Sequence, residues 1–452
     1  MILKTISTFK NKVYSKTAFQ LVASIAFTLT FPPVNAAEVA KDADGPSEGS
    51  TSPTQKTNNF LKGDVGTGNL FNNNFGVIQG TDFSKEIVYS RQDKSFGQVG
   101  FSKKIVLTTS LVHDSNPALD DSLKRSVWIY SLAPQLLLDY TGEVNNLYLD
   151  AALQVQRNSN EEVLVDRDDP RLGMGWSRTY ESGMYGVYAN YSQFVSRAAE
   201  IAATGVFTGN LDGESTQRNR TFGGRWQHTI APRWSVLTTG EYIKTAFSGG
   251  VDLIGFGIGD VRSRLNYEFN ERLDTYVQLG YSKITPDDTS EASKLARLAL
   301  GANYQLSEAL TVSSRAGMYR TTGAQSESDW EAGVQLGYEA GRMVYVAELN
   351  REVAGAVIGA FQKSDLFRLG WLFNRSEVDR FSVNYTLIKL KEDEMGLLPE
   401  NQLQEVNALY DRTLGGSWRG QANIIFREQS RTGFRSDGNV VGVTLIYDGL
   451  SF

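Results

Sequence analysis

The side chains best suited to chemistry in this chain are its histidines, and there are only two, His113 and His228. His113 lies close in sequence to Ser110 and Ser115, the residue types of a Ser–His nucleophile, but no third residue that would orient the histidine can be identified. The two histidines are expected at opposite ends of the fold, which argues against a histidine pair binding a metal. The chain also contains no cysteine, so disulfides and thiolate metal sites are excluded. We therefore predict no catalysis, no metal site and no cofactor.

Two acidic segments and one glycine series are the other candidate sites. Residues 166–169 (Asp-Arg-Asp-Asp) and 287–288 (Asp-Asp) could hold divalent cations beside lipopolysaccharide, but the calcium-loop spacing of an EF-hand is absent. Glycines at 255, 257 and 259 lack the spacing and the strand-to-helix context of a phosphate loop. We interpret all three segments as solvated loops.

The amino-terminal residues predict export. Residues 1–36 combine four lysines, an apolar run over 18–31 and a small-residue Val-Asn-Ala ending, which is typical of a cleaved signal peptide. Loss of those four lysines changes the formal net charge from −6 to −10. Such an acidic chain is a poor candidate for nucleic-acid binding. Residues 37–100 are predicted to be a short, mostly disordered periplasmic segment, or else a plug inside the fold.

Residues 101–452 are predicted to form the folded domain, because hydrophobicity alternates there with a period of two. In residues 273–282, for example, Leu, Thr, Val, Leu and Tyr alternate with Asp, Tyr, Gln, Gly and Ser. About 18 such stretches (roughly 16–18) have the length that a tilted strand needs to cross a bilayer. The fold class predicted is therefore all-β, a transmembrane antiparallel β-barrel.

The connections between these stretches are sorted by length. Short ones lie near residues 181–183, 231–233, 270–272, 307–309 and 340–341, and longer ones near 114–125, 158–170, 196–215, 248–259, 285–294, 391–403 and 428–438. Outer-membrane barrels have short periplasmic turns and longer external loops. We therefore expect the outer membrane of a Gram-negative bacterium, with both termini periplasmic.

Aromatic residues predict a belt at the periplasmic interface, where amphipathic rings settle at headgroup depth. Those near short turns are Tyr140, Trp176, Tyr185, Trp226, Trp234, Tyr267, Phe269, Tyr304, Tyr338, Phe373 and Trp418.

The polar face of the strands predicts the lining of a lumen. By alternation, the lumen-lining candidates are Arg225, Arg262, Arg264, Arg297, Arg315, Arg368, Arg419, Arg427, Glu241, Glu268, Glu331 and Asp411, with Asp150, Asp274 and Glu348 beside them. Arginine forks suit carboxylate or phosphate oxygens, which favours a path for small anions or an acidic polymer. Arginine–carboxylate pairs that stiffen the wall are the alternative, and both can hold together.

One family resemblance covers roughly residues 104–452. The opening strand followed by residues 114–117 (Asp-Ser-Asn-Pro), the segment 127–134 (Val-Trp-Ile-Tyr-Ser-Leu-Ala-Pro) and the Leu-Ser-Glu turn at 306–308 resemble the β-barrel porins encoded with exopolysaccharide operons (beta-barrel porin 2-like). The resemblance implies an outer-membrane conduit for secreted polysaccharide. Asp448-Gly449, which interrupts the last strand, departs from that family.

The leading hypothesis is thus a channel for exopolysaccharide export. The alternatives are a general or anion-selective porin for small solutes, and a plugged surface barrel that acts through its external loops. Expected partners are outer-membrane lipid and lipopolysaccharide, the barrel assembly machinery, polysaccharide and a periplasmic export partner.

The last strand generates a first testable prediction. Val441 and Val443 alternate with Gly442 and Thr444 toward the aromatic terminus Phe452, with a slip near Gly449 that we interpret as a bulge. We expect deletion of Phe452 to impair assembly, because the final strand guides insertion and must pair with the first one to close the barrel. Heat-modifiable migration of outer-membrane fractions measures insertion, with Phe452→Tyr as the aromatic control, and normal insertion of the truncated chain would contradict this expectation.

Overall fold

The computed structural model describes residues 99–117, 119, 124–195, 216–249, 254–288, 291–323, 326–355, 361–391, 400–431 and 434–451. These residues form eighteen β-strands, and none of them is helical. The strands are β1 (Gly100–Asp114), β2 (Val127–Thr141), β3 (Asn145–Asn158), β4 (Arg167–Tyr180), β5 (Gly183–Val195), β6 (Thr216–Ala231), β7 (Trp234–Ser248), β8 (Phe256–Asn270), β9 (Leu273–Pro286), β10 (Ser293–Gln305), β11 (Leu310–Thr322), β12 (Ser328–Ala340), β13 (Met343–Gly355), β14 (Phe361–Asn374), β15 (Asp379–Leu390), β16 (Asn401–Gly415), β17 (Trp418–Arg431) and β18 (Phe434–Ser451).

The strands close into a single barrel. Each strand pairs antiparallel with the next along the chain, and β18 pairs antiparallel with β1. Closure matters because lipid offers no hydrogen-bond partners to the backbone groups of an open edge. The prediction of a transmembrane antiparallel barrel of about 18 strands is therefore confirmed. No helix in the described part of the chain is long and apolar enough to span a membrane.

The two ends of the barrel differ in the length of their connections. At one end the connections have two to four residues, whereas at the other they include 115–126, 159–166, 196–215 and 391–400. The sorting by length is as predicted, but three predicted long loops extend too far into strands. The strand β4 already begins at Arg167 and β8 at Phe256, so residues 167–169, Gly257 and Gly259 lie in strands and the interpretation of them as solvated loop is wrong. A long loop over 428–438 is wrong, because β17 continues to Arg431 and β18 starts at Phe434, with Gln429 opposite Ser436 and Arg427 opposite Gly438. The sequence resembles a loop here because both faces of the two strand ends are polar, so hydrophobicity does not alternate.

Alternation along each strand decides which side chains face the interior. In β10 the side chains of Leu295, Arg297 and Ala299 are buried, whereas Leu298 and Leu300 are 50% and 61% exposed. The outer surface thus carries leucine while arginine lies inside, the reverse of a soluble protein. This arrangement suits a barrel with lipid outside and a polar interior.

The register shifts of the barrel lie at its short-turn end. Val106 pairs with Asp448 and Lys104 with Ser451, so β18 contains one residue more than β1 across this step. The predicted irregularity at Asp448-Gly449 is therefore a bulge at the seam between the first and last strands. Such bulges bend a strand and locally raise its twist, as barrel closure requires.

Several glycines of the inner wall make room for tyrosine rings. Tyr188 lies opposite Gly223 and Tyr276 opposite Gly301, and a Cβ at either glycine would collide with the ring. The tyrosine ring packs over the backbone that the glycine, which has no side chain, leaves exposed. This contact stabilises glycine within a sheet. These contacts account for part of the high glycine content of the chain.

The signal peptide, the leader up to residue 98, the connection 196–215 and Phe452 lie outside the described residues. The predictions made for them stay predictions.

Candidate functional site

The inner wall is the candidate functional site, because any solute crossing the barrel would meet its charged side chains. The residues predicted from alternation to line the lumen all share the register positions of the inner face. They are distributed around the wall and along its height, so they form a lining and do not converge on one pocket.

A deeply buried ion pair connects β10 and β12. Arg297 Nη1 lies 3.8 Å from Glu331 Oε2, and the two residues are 7% and 1% exposed. On β11, between these strands, Arg315 Nη2 lies 3.5 Å from Glu352 Oε2 and donates to Asn350 Oδ1 at 3.3 Å. Each arginine therefore reaches two strands along the wall to a carboxylate.

Further pairs continue around the wall from β13 to β17. Arg368 Nη1 lies 3.3 Å from Glu348 Oε2. Asp411 accepts a hydrogen bond from Gln421 at 2.6 Å, and Arg419 Nε lies 3.6 Å from its Oδ2. Arg380 Nη2 is 3.5 Å from the other oxygen of Asp411. These contacts support the interpretation that arginine–carboxylate pairs stiffen the wall.

The wall from β5 to β9 uses other contacts. Arg262 Nε lies 2.9 Å from Asp260 Oδ2, and Arg264 stacks on the ring of Tyr276 at 4.7 Å. Arg225 donates to Gln227 at 2.8 Å. Tyr188 donates to Glu241 at 2.5 Å.

One acidic pair is different. Glu268 and Asp274 lie opposite each other in β8 and β9, near the short-turn end. Neither carboxylate forms an ion pair with a described residue. This part of the lumen wall therefore presents two adjacent carboxylates to the interior.

The start of the β1–β2 connection folds into the mouth of the barrel at the long-loop end. Arg427 Nη2 contacts Asp114 at 2.5 Å and donates to the carbonyl of Asn116 at 3.0 Å. Asn116 is 0% exposed and donates to Ser436 Oγ at 2.9 Å. Leu119, beyond it, is buried against side chains of β15 and β16. The described part of this connection therefore narrows the bore.

The end of β13 on the long-loop side also bends into the interior of the barrel. Arg297 Nη2 lies 3.5 Å from the carbonyl oxygen of Val353, although β10 and β13 are three strands apart. Strands three apart are about 14 Å from each other along a sheet, further than an arginine side chain extends. Val353 and Phe361 accordingly belong to an apolar cluster with side chains at the long-loop ends of β8 to β11. This contact narrows the same end of the lumen from a second side.

The other sequence candidates do not form a site. The ring of His113 packs at a tilt against Trp128, with the ring centroids 4.8 Å apart, whereas Ser110 faces inward and hydrogen-bonds to Ser131. His228 packs at the other end between Trp226 and Tyr180. Within the described residues, therefore, no serine pairs with His113, and His228 belongs to an aromatic cluster.

The acidic segment 166–169 is neutralised by arginines. Arg157 Nη1 lies 2.9 Å from Asp168, and Arg167 Nε lies 2.9 Å from Asp169. Among the described residues no group of three His, Cys, Asp or Glu side chains could hold a metal ion.

The predicted aromatic belt is present as a run of ring contacts on exposed positions beside the short turns. Examples are Trp234 with Tyr267 at 4.6 Å and Trp418 with Tyr447 at 4.8 Å. The belt marks one edge of the apolar outer surface.

Sequence reasoning missed several partners of the inner wall. Neither Asp260 nor Glu352 is among the predicted lumen-lining residues. Asp260 continues the alternation of Arg262 and Arg264 in β8, and Glu352 continues that of Glu348 in β13. Extending the alternation into the strand ends would have found both. Nothing in the local pattern indicated the burial of Asn116 or Leu119, because that depends on contacts with distant strands.

Comparisons with known proteins find only a distant structural similarity. No protein-family model and no curated protein matches the sequence, so the resemblance to exopolysaccharide-associated porins is not confirmed. Among solved structures, Pseudomonas aeruginosa OpdK with vanillate is 13% identical, with a TM-score of 0.46 over 78% of this chain and 99% of that one. Acinetobacter baumannii OccAB4 is 12% identical, with a TM-score of 0.46 over 79% of this chain and 99% of that one. Pseudomonas aeruginosa OprD is 10% identical, with a TM-score of 0.43 over 77% of this chain and 95% of that one. Similarity at this level assigns neither a family nor a substrate.

The anchor of the β1–β2 connection generates a prediction. Arg427→Gln leaves the buried Asp114 without a counter-charge, at a cost of about 3–5 kcal/mol, and removes the donor to Asn116. We expect a lower unfolding midpoint in urea and a larger single-channel conductance, because the narrowing by Asn116 and Leu119 is released.

The matched control is Arg435→Gln, since Arg435 and Glu428 form an exposed pair on the outer face at the same end. Breaking it should cost at most about 1 kcal/mol and leave conductance unchanged. Equal conductance in both variants and the wild type would show that the anchor does not shape the bore.

Proposed function

We propose that this chain is an outer-membrane channel for small hydrophilic solutes. The observation that carries the proposal is the inversion of its two faces, with mainly apolar side chains outside and most of the charged and amide side chains of the strands inside. Phe222 and Met318 are 61% and 68% exposed on the outer face, whereas Arg315 and Glu331 are buried inside. Only a barrel in a lipid membrane stabilises such a surface, because water would leave the outer apolar band unfavourably hydrated.

The size of the barrel supports an aqueous path. Barrels of about 16–18 strands are too wide for inward side chains to fill, unlike barrels of about 8 strands. Charged groups along the path lower the cost of passage for hydrated solutes.

The narrowing at the long-loop end favours small solutes over a polymer. Leu119 and Asn116 enter the mouth from one side, and Val353 and Phe361 approach from another. Arginine pairs fill further space along the wall between them. Export of exopolysaccharide therefore stays a prediction that none of these contacts supports.

The mixed lining supports discrimination by charge. Several arginines of the wall, such as Arg297 and Arg368, are paired with carboxylates, whereas Glu268 and Asp274 face the lumen with no ion-pair partner among the described residues. We expect cations to be enriched at the short-turn end of the path.

Conductance in planar bilayers tests the proposal. The full barrel should give stepwise ohmic currents, and proteoliposomes should swell in monosaccharides but not in large dextrans. Correctly folded barrels that carry no current would overturn the channel and favour the plugged-barrel hypothesis. A deletion strain with defective polysaccharide secretion would instead favour export.

The double variant Glu268→Gln, Asp274→Asn tests the lining. Its reversal potential in a salt gradient should move toward anion selectivity, since two lumen carboxylates are lost. Glu377→Gln, in the connection 375–378 at the same end, is the control and should leave the reversal potential where it is. An equal shift in both variants would place the effect outside the lumen.

A further inference from the structure

The outer face of β6 to β11 carries exposed basic side chains at the long-loop end that have no acidic partner in the described part of the chain. We call Arg220, Lys283, Lys294 and Arg320 the basic arc. All four are exposed, and none of them forms an ion pair or hydrogen bond with a described residue. Lys244, between Arg220 and Lys283 on the same face, is already paired with Asp287.

The strand register places like charges against each other in this arc. Lys283 lies directly opposite Lys294, and Arg220 directly opposite Lys244. Like charges directly opposite in a sheet are destabilising. Asp287 offsets this repulsion at Lys244, whereas Lys283 and Lys294 have no carboxylate partner among the described residues, so an anion from outside the barrel would stabilise that pair.

The height of the arc matches the depth of lipid headgroups. Three of the basic residues follow an exposed apolar residue of the same strand, two positions nearer the long-loop end. The pairs are Arg220 beyond Phe222, Lys283 beyond Tyr281 and Arg320 beyond Met318. Two residues of a strand span about 7 Å. The charged ends of these side chains therefore extend just past the apolar band, where phosphates of the lipid would lie.

The rest of the same rim lacks this property. Outward basic residues on other strands pair with carboxylates: Arg157 with Asp168 at 2.9 Å, Arg351 with Asp329 at 3.2 Å, Lys389 with Glu400 at 2.6 Å and Arg435 with Glu428 at 2.8 Å. Unpaired basic charge is thus a local feature of β6 to β11 among the described residues.

We propose that the basic arc binds the phosphate groups of lipid A, the membrane part of lipopolysaccharide in the outer leaflet. The proposal rests on the outer-membrane location and on the long loops facing outward. Ammonium and guanidinium groups bind phosphate oxygens through charge-assisted hydrogen bonds, and the neighbouring outer face offers apolar surface to the acyl chains.

The test removes the arc and compares it with an equal loss of charge elsewhere. The arc variant is Arg220→Gln, Lys283→Gln, Lys294→Gln and Arg320→Gln, and the matched control is Arg157→Gln, Arg351→Gln, Lys389→Gln and Arg435→Gln. The full barrel is reconstituted in phosphatidylcholine vesicles that contain bis-phosphorylated lipid A or its dephosphorylated form. The readouts are the midpoint of the heat-modifiable gel shift and the lipid A retained after repurification in detergent.

Phosphorylated lipid A should raise the midpoint of the wild type and of the control by several degrees, and the arc variant should lose this rise and retain several-fold less lipid A. Equal midpoints of the wild type with both forms of lipid A, or an unchanged response of the arc variant, would overturn the proposal. A full rise with inorganic phosphate in phosphatidylcholine alone would also overturn it, because the anion would then be free phosphate.

Two further measurements keep the outcome clear. If the fourfold variant does not fold, Lys283→Gln with Lys294→Gln should still lose part of the rise. Conductance of the arc variant should equal that of the wild type, so failure of lipid binding is distinguished from failure of the channel function.

Discussion

The structure depends on one constraint, that backbone amides and carbonyls in hydrocarbon must find partners within the protein. Each unsatisfied group costs several kcal/mol there, so an open edge strand of this length would be prohibitive. The pairing of β1 with β18 removes both edges at once. The bulge in β18 beside Gly449 lies where the last strand pairs with the first at the short-turn end.

Closure forces every strand to place alternate side chains inside, which explains the charged interior. Two unit charges 3.8 Å apart, as in Arg297 and Glu331, attract by about 4 kcal/mol at an effective dielectric of 20. Removing each ion from water costs several kcal/mol, so such pairs contribute little net stability. They are better explained by the shape and charge that they give to the lumen. On the outer face, by contrast, the basic arc has no carboxylate partner among the described residues, which is why we propose that it binds lipid phosphates.

The sequence predicted what depends on local periodicity and missed what depends on distant contacts. Alternation was sufficient to predict the number of strands, the inward arginines and the irregularity near Gly449, because each of these can be recognised from the pattern within single strands. The partners Asn350 and Glu352 depend on register across three strands. The inward positions of Leu119 and Val353 depend on apolar contacts between strand ends that no single segment encodes.

The accessibility of two neighbouring thiols in a lipid bilayer tests whether the apolar face of the wall lies outside and the polar face inside. Gln335 and Leu336 are adjacent in β12, the first on the inner face and the second 42% exposed outside. Because the chain has no cysteine, Gln335→Cys and Leu336→Cys each carry a single thiol. A charged, membrane-impermeant thiol reagent should modify the first and lower its conductance, while the second should react only with a lipid-soluble reagent. Modification of Leu336→Cys by the charged reagent, or protection of Gln335→Cys, would contradict the account.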